Sequence, residues 1–236
     1  MQNLRVPRHL GIIPDGNRRW AKARVLQPWK GHEEGLRKFE EILKWCEEMG
    51  IRMVTIYTVS AENLSRPKEE VDFLMNLLKG QINKMLKGDS DVHKKRVRVR
   101  IIGDKSLLDN NLQQIIGKIE TATKEYSDYY LNLAIAYGGR AEILDATKRI
   151  AQRVKDGKMK IDEINEKTFS ESLYAELPDV DLIIRTSEQR TSGFLTWQSA
   201  YSEIVFLPDM LFPDLKKEDF VKAIEEFSNR ERRFGR

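Results

Sequence analysis

The chain has 236 residues, 40% of them hydrophobic and 33% charged, with 14 glycines and 7 prolines, which excludes a disordered or fibrous polymer and leaves length for one well-buried core. Its 41 lysines and arginines against 37 acids give a formal charge of +4, too small an excess for a nucleic-acid coat and only a weak pointer to anionic ligands. No run approaches the ~18 apolar residues of a membrane span, the start Met1-Gln2-Asn3-Leu4-Arg5-Val6-Pro7 lacks the apolar centre of a secretory signal, and the single Cys46 is expected to pack half-buried in a reducing, cytoplasmic compartment.

In chain order, apolar runs suited to strands fall at His9 to Pro14, Met53 to Val59, Val97 to Ile102, Leu131 to Tyr137, Asp181 to Arg185 and Glu203 to Leu207. Several are rich in β-branched residues without strict alternation, as parallel strands covered on both faces read. Helical spacing links them, in Leu36, Phe39, Ile42, Leu43 and Cys46, then Val71, Phe73, Leu74, Leu77 and Leu78, then Leu112, Ile115, Ile116 and Ile119. The alternation predicts a single α/β domain over residues 1–236, with crossovers onto one mostly parallel sheet and function in the loops outside the carboxyl ends of the strands. No internal repeat or linker interrupts it, and Lys155-Asp156-Gly157-Lys158 reads as a surface turn.

The first run leads into Asp15-Gly16-Asn17-Arg18-Arg19-Trp20. Free amides at a helix start and two arginines suit a phosphate. A carboxylate among phosphate oxygens then requires a hard cation between them, and magnesium is the ion that commonly bridges carboxylate to diphosphate. The alternative is an N-capping aspartate beside a solvated basic face. The second run ends in Ser60-Ala61-Glu62-Asn63-Leu64-Ser65-Arg66-Pro67; capping of a helix from Lys68 explains Ser65 and Pro67 but not Glu62, Asn63 and Arg66 together. After the fifth run, Arg185 and Arg190 with the hydroxyls up to Ser192 can grip a second polyanion.

Glu203 suits a strand start as well as a metal ligand. Of the histidines, His9 reads as strand-start packing, His93 as a surface residue, and His32, in Lys30-Gly31-His32, as the suggestive one. The Gly-rich loop ending in Gly-Lys-Ser/Thr, Gly-x-Gly-x-x-Gly, His-Glu-x-x-His and Gly-x-Ser-x-Gly are all absent, which removes support for P-loop and serine hydrolase chemistry.

Taken together, His9 to Ala21, Gly31-His32, Ser60 to Asn63 with Arg66-Pro67, Ile101 to Asp104, Asn132 with Tyr137 to Arg140, Ile184 to Thr186, Phe194 to Glu203 and Asn229 to Gly235 resemble the undecaprenyl diphosphate synthase-like cis-prenyltransferase family over nearly the whole chain. The resemblance implies a six-stranded, mostly parallel sheet with surrounding helices, working as a homodimer. It implies an enzyme that joins isopentenyl diphosphate to an allylic prenyl diphosphate, with release of diphosphate and a new cis double bond.

Carried over by position, Asp15 holds magnesium on diphosphate, and Glu203 is the second magnesium ligand. Gly16, Arg18, Arg19, Trp20 and Arg66 cradle the allylic diphosphate, and Asn17 also lies near the reacting carbons. Arg185, Arg190 and Ser192 grip isopentenyl diphosphate. His32, Ser60, Glu62 and Asn63 orient substrates or move protons, and Arg233 and Gly235 reach a neighbouring subunit's site. The helix from Val71 to Leu78 beside the strand from Leu131 to Ala136 is the expected wall of an apolar cavity for the growing hydrocarbon.

Three departures from the family pattern stand out. Pro14 replaces a methionine, Gln27-Pro28-Trp29-Lys30 replaces a segment with a basic residue, for which Lys30 is the candidate substitute, and the loop after Arg185 is one residue shorter and lacks glycine. They point to altered acceptor choice, with a short or irregularly joined product as the alternative. A non-catalytic subunit is the rival reading, disfavoured because Asp15, Arg19, Arg66 and Glu203 are all present. Nucleic acid is not an expected partner, since the Arg-Val alternation from Lys94 to Arg100 reads as a solvated edge strand. Transient membrane contact is expected from the greasy product.

Overall fold

The computed structural model describes residues 4–230. Six strands, β1 (His9–Ile13), β2 (Met53–Ser60), β3 (Val97–Ile102), β4 (Tyr129–Tyr137), β5 (Leu182–Thr186) and β6 (Glu203–Leu207), form one sheet in the order β3-β4-β2-β1-β5-β6. Every neighbouring pair is parallel, so the expected mostly parallel sheet is wholly parallel. The helices are α1 (Asn17–Ala23), α2 (Pro28–Glu48), α3 (Lys68–Met85), α4 (Asp91–Lys94), α5 (Asn110–Thr123), α6 (Gly139–Lys155), α7 (Glu166–Ser170) and α8 (Lys217–Asn229).

The two faces of the sheet are covered differently. The larger core joins β1, β2 and β4 to Phe39, Ile42 and Cys46 of α2, Leu78, Ile82 and Met85 of α3, the apolar stripe of α5, and Phe220, Ile224 and Phe227 of α8. On the other face Ile13, Tyr57, Ala134, Tyr137 and Ile183 pack under the irregular segments on either side of β5, Leu177 before it and Phe194 and Leu195 after it. All five residues of β1 are buried because it lies inside the sheet with cover above and below. Cys46 is fully buried rather than half-buried, and burial pushes its thiol pKa up, so it is an inert packing residue. His93 is half-buried, its Nδ1 2.9 Å from the Tyr126 hydroxyl.

A buried polar thread crosses the middle of the sheet. His9 Nε2 lies 2.7 Å from Thr55 Oγ1, which also accepts from Asn132 Nδ2 at 2.9 Å, and His9 Nδ1 lies 3.0 Å from the Pro178 carbonyl. Burial lowers the His9 pKa, so the ring is neutral, with Nδ1–H donating to the carbonyl and Nε2 accepting from the threonine.

The strand order decides where a site can form. The chain runs from β1 to β2 on one side and later fills β5 on the other, so the loops after β1 and β5 diverge and leave a crevice at their carboxyl ends. Ile13 is in register with Arg185, which sets Asp15 and Arg185 at the rim of that crevice. β3 is an edge strand, as the alternation of Arg and Val predicts.

Candidate active site

A cavity of about 1170 Å³ opens at the carboxyl ends of β1, β2 and β5. Arg18, Arg19, Lys22, Arg66, Arg185 and Arg190 line it against the carboxylates of Asp15, Glu62 and Glu188. That excess of fixed positive charge in a concave site favours polyanions.

Asp15 is held from all sides. Its N–H donates to Thr186 Oγ1 at 3.1 Å, and its carbonyl accepts from Thr186 Oγ1 at 2.6 Å, from Ser187 Oγ at 3.1 Å and from the Phe212 N–H at 3.0 Å. The carboxylate takes Arg185 Nη2 at 2.9 Å, Arg19 Nη2 at 3.2 Å and the Gly16 N–H at 2.6 Å. Burial alone would raise its pKa, but Arg185 and Arg19 outweigh it and hold the group below the ordinary aspartate range. Arg185 is 4% exposed; it also donates to Ser192 Oγ at 2.8 Å and to the Arg190 carbonyl. Glu188 ties Arg19 at 3.0 Å and Arg190 at 2.8 Å.

The shortened loop therefore still delivers Arg190 and Ser192 to the cavity. It does so with backbone strain, since Ser187 (φ 70°), Ser192 (φ 50°) and Leu195 (φ 47°) all adopt left-handed conformations without being glycine. At Ser187 the hydroxyl, within reach of the Asp15 and Met210 carbonyls, offsets the cost.

The opposite wall is built on α2 and α3. Glu70, buried in the first turn of α3, accepts from Arg66 Nη1 at 3.0 Å and lies 3.3 Å from His32 Nε2 and 3.7 Å from Arg18 Nε. Burial lowers the His32 pKa more than Glu70 raises it, so the imidazole is neutral. Facing a carboxylate, a neutral ring donates from Nε2 and leaves Nδ1 as the acceptor.

Gly31 explains its place before His32. A Cβ there would overlap the Asn17 carbonyl, and one at Gly35, a turn later, would press on the Asn17 side-chain amide. Two glycines on one face of α2 let the start of α1 seat against it. Gly16, at φ 105°, turns the chain into α1.

A second chamber, about 90 Å³, continues from the first, and Pro14, Asn17, His32, Thr58 and Leu74 line both. Its walls are Leu36 and Phe39 of α2, Leu77 and Leu78 of α3 and Leu133 of β4, the helix and strand expected to bound a hydrocarbon. Asn17 Oδ1 is buried at the junction without a hydrogen-bond partner.

Several expected residues do different work. Ser60 and Asn63 cap each other, with Ser60 Oγ accepting from the Asn63 N–H at 3.2 Å and Asn63 Oδ1 accepting from the Ser60 N–H at 3.3 Å. The cap thus lies on the turn before Arg66 and not at Ser65, and both residues, with Glu62, still line the cavity. Trp20 does not face the cavity: its indole N–H donates to Asp214 at 2.8 Å under the Arg24 guanidinium. Lys30, the candidate substitute phosphate contact, pairs with Glu33 at 2.7 Å and does not line the cavity.

Glu203 does not join Asp15 within the chain. It begins β6 at the opposite end of the sheet and pairs with Arg230 at 2.8 Å. Arg233 and Gly235 lie outside the described residues. Glu70 escaped the sequence reading, although the Arg66-to-Glu70 spacing of four residues was a signal for it.

The donor set fits magnesium. Among the described residues no group of three His, Cys, Asp or Glu side chains is placed to hold a metal ion, so these residues offer no protein cage. Asp15 is a partly exposed, ionised aspartate beside an anion-binding wall, which suits an ion that keeps its waters and is completed by substrate phosphates.

A family model described as "Putative undecaprenyl diphosphate synthase" matches residues 13–235. The chain belongs to this family of cis-prenyltransferases. Among its relatives is the tritrans,polycis-undecaprenyl-diphosphate synthase (geranylgeranyl-diphosphate specific) of Methanopyrus kandleri, 50% identical over 98% of this chain and 86% of that one. The protein of the same description from Thermoplasma acidophilum is 50% identical over 98% and 89%. Two solved cis-prenyltransferase-fold structures superpose on the chain, each at 36% identity. Lavandulyl diphosphate synthase from Lavandula x intermedia, in complex with dimethylallyl diphosphate, gives a TM-score of 0.90 over 98% of this chain and 99% of that one. A probable undecaprenyl diphosphate synthase from Campylobacter jejuni gives 0.78 over the full length of both.

Proposed function

We propose that this cis-prenyltransferase extends geranylgeranyl diphosphate with isopentenyl diphosphate to a long polycis product, with magnesium bound at Asp15. The observation that carries the reading is the junction: a cationic cavity opens into an apolar chamber, with Asn17 and His32 lining both. An amphiphile with a diphosphate head and a prenyl tail spans that junction with its head–tail carbon beside Asn17. The primer preference rests on the relatives of half identity and their printed specificity.

In the reaction the carbon–oxygen bond of the allylic diphosphate breaks and its electron pair leaves with the diphosphate. The terminal alkene carbon of isopentenyl diphosphate bonds to the freed carbon, which leaves positive charge on C3, and a proton passes from C2 to an oxygen of the released diphosphate as the cis C2–C3 double bond forms. Arg66, Arg18 and Arg19 face the negative charge that builds on the leaving group, where fixed donors act most strongly. Arg190 and Ser192 hold the second diphosphate so that the two carbons meet. Magnesium at Asp15 supplies further charge neutralisation on diphosphate.

Glu203 serves such an ion only from a second copy of the chain, which fits a homodimer completed by the Arg233 and Gly235 segment. Among the described residues no helix is long and apolar enough to cross a membrane. The hydrocarbon product is what supports transient contact of a cytoplasmic enzyme with the bilayer.

The test is incubation with magnesium, labelled isopentenyl diphosphate and dimethylallyl, farnesyl or geranylgeranyl diphosphate, with products identified by mass spectrometry. A cis-polyprenyl ladder strongest from geranylgeranyl diphosphate and absent in Asp15→Ala is expected. A short or irregular product would move the weight to the shortened loop, and no product from any primer would overturn the reading in favour of a subunit that needs a partner.

A further inference from the structure

The apolar chamber is too small for the product it serves. At about 90 Å³ it falls below the ~300–1,000 Å³ of ordinary small-molecule sites, so a tail of several isoprene units must pass beyond it. A third cavity, of about 360 Å³, lies further along the same core at the amino ends of β2, β3 and β4, with Leu43, Cys46, Val54 and Leu131 in its walls. Among the described residues, this cavity and the chamber share Gln81 and Met85.

Gln81 is an unexpected residue at that point. Its Nε2 reaches from α3 to Glu40 Oε1 on α2 at 2.9 Å, closing the gap between the two helices, while its Oε1 is buried and has no partner. The opposite amide orientation would set two acceptors against each other, so the carbonyl is the end that points inward. Hydrocarbon packed on an unpartnered amide oxygen keeps that oxygen from water and gives nothing in return. Met85, the other shared residue, is flexible and apolar and yields easily to a passing chain.

We infer that Gln81, tethered by Glu40, is a length-setting gate between the chamber and the distal cavity: the growing tail enters the distal space only when the Gln81–Glu40 bridge opens. The inference rests on the prenyl-transfer reading and names the residue that decides how far the product grows.

The experiment compares product lengths from labelled isopentenyl diphosphate and geranylgeranyl diphosphate for the native chain and three variants whose thermal melts are checked first. Gln81→Leu keeps the bulk and removes the polar gate; products longer by at least one isoprene unit are expected. Glu40→Ala, at an exposed position, frees the amide and is expected to shift length in the same direction by less. Adding Val54→Phe to Gln81→Leu fills the distal cavity and is expected to cancel the gain. An unchanged length distribution in a folded Gln81→Leu variant overturns the gate, as does lengthening that persists with Val54→Phe or that Glu40→Ala fails to reproduce. If the native chain forms no prenyl product, the functional reading fails instead, and the two failures are told apart by that first sample.

Discussion

The two walls of the cavity use the same ingredients in opposite order. On the strand wall a buried guanidinium, Arg185 at 4% side-chain exposure, stands behind a carboxylate, Asp15, that is 30% exposed. On the helix wall the carboxylate is the buried partner, Glu70 at 9%, and the guanidinium it holds, Arg66 at 26%, is the one presented. A buried cation that steadies an exposed carboxylate makes a seat for a hard metal ion. A buried carboxylate that aims exposed guanidiniums makes a seat for phosphate. Which partner is buried, and not the composition of the pair, sets the sign of the ligand.

Removing the buried member of either pair should therefore do more than weaken a contact. The largest effect is expected for Arg185→Met, which strips Asp15, Ser192 and the Arg190 carbonyl of their shared donor. Breaking a buried pair from one side costs about 3–5 kcal/mol at full burial, less here because Asp15 meets solvent. Activity should fall at least about 10²-fold, with a measurable drop in melting temperature; an active, fully stable variant would break the comparison. Glu70→Gln should leave the fold in place but release Arg66 and Arg18, raising KM for the allylic diphosphate by about tenfold, on the order of one charge-assisted hydrogen bond, with a smaller change in kcat. An effect confined to kcat would mean that Glu70 acts on the chemistry and not on the cradle.

The smallest effect concerns acid. His9 and His32 both have pKa values lowered by burial, so the unfolded chain binds protons that the folded one refuses. Stability from both is fully present above about pH 6.5 and is lost as pH falls from there toward the folded values. A denaturation series should show stability declining below that point, less steeply in His9→Asn. A flat profile between pH 6.5 and 5 would contradict the neutral assignments.

How much of this was legible beforehand varies by level. All six strands could be placed from apolar runs: β1 and β5 because central parallel strands must be apolar on both faces, and the edge strands β3 and β6 from their β-branched residues although they are only partly buried. Their lateral order could not, and that order brings Asp15 and Arg185, 170 residues apart, to 2.9 Å. Side-chain direction was equally hidden. Trp20 sits amid cavity residues in sequence but turns to Asp214, and Glu203 opens a strand at the wrong end of the sheet to meet Asp15 in its own chain. Glu70 stands in the first turn of α3, where an acid complements the helix dipole and draws no notice; its functional contact depends on α2 bringing His32 beside it.

The most direct test separates binding from transfer in Asp15→Asn. Binding of geranylgeranyl diphosphate without magnesium, and single-turnover condensation with isopentenyl diphosphate and magnesium, would be measured on the same preparation. The account predicts a dissociation constant within a few-fold of the native value, because the helix wall is intact, and a transfer rate lower by about 10³-fold. A variant that transfers within tenfold of the native rate, or that loses magnesium-free binding as steeply as it loses transfer, would contradict the division of labour between the two walls.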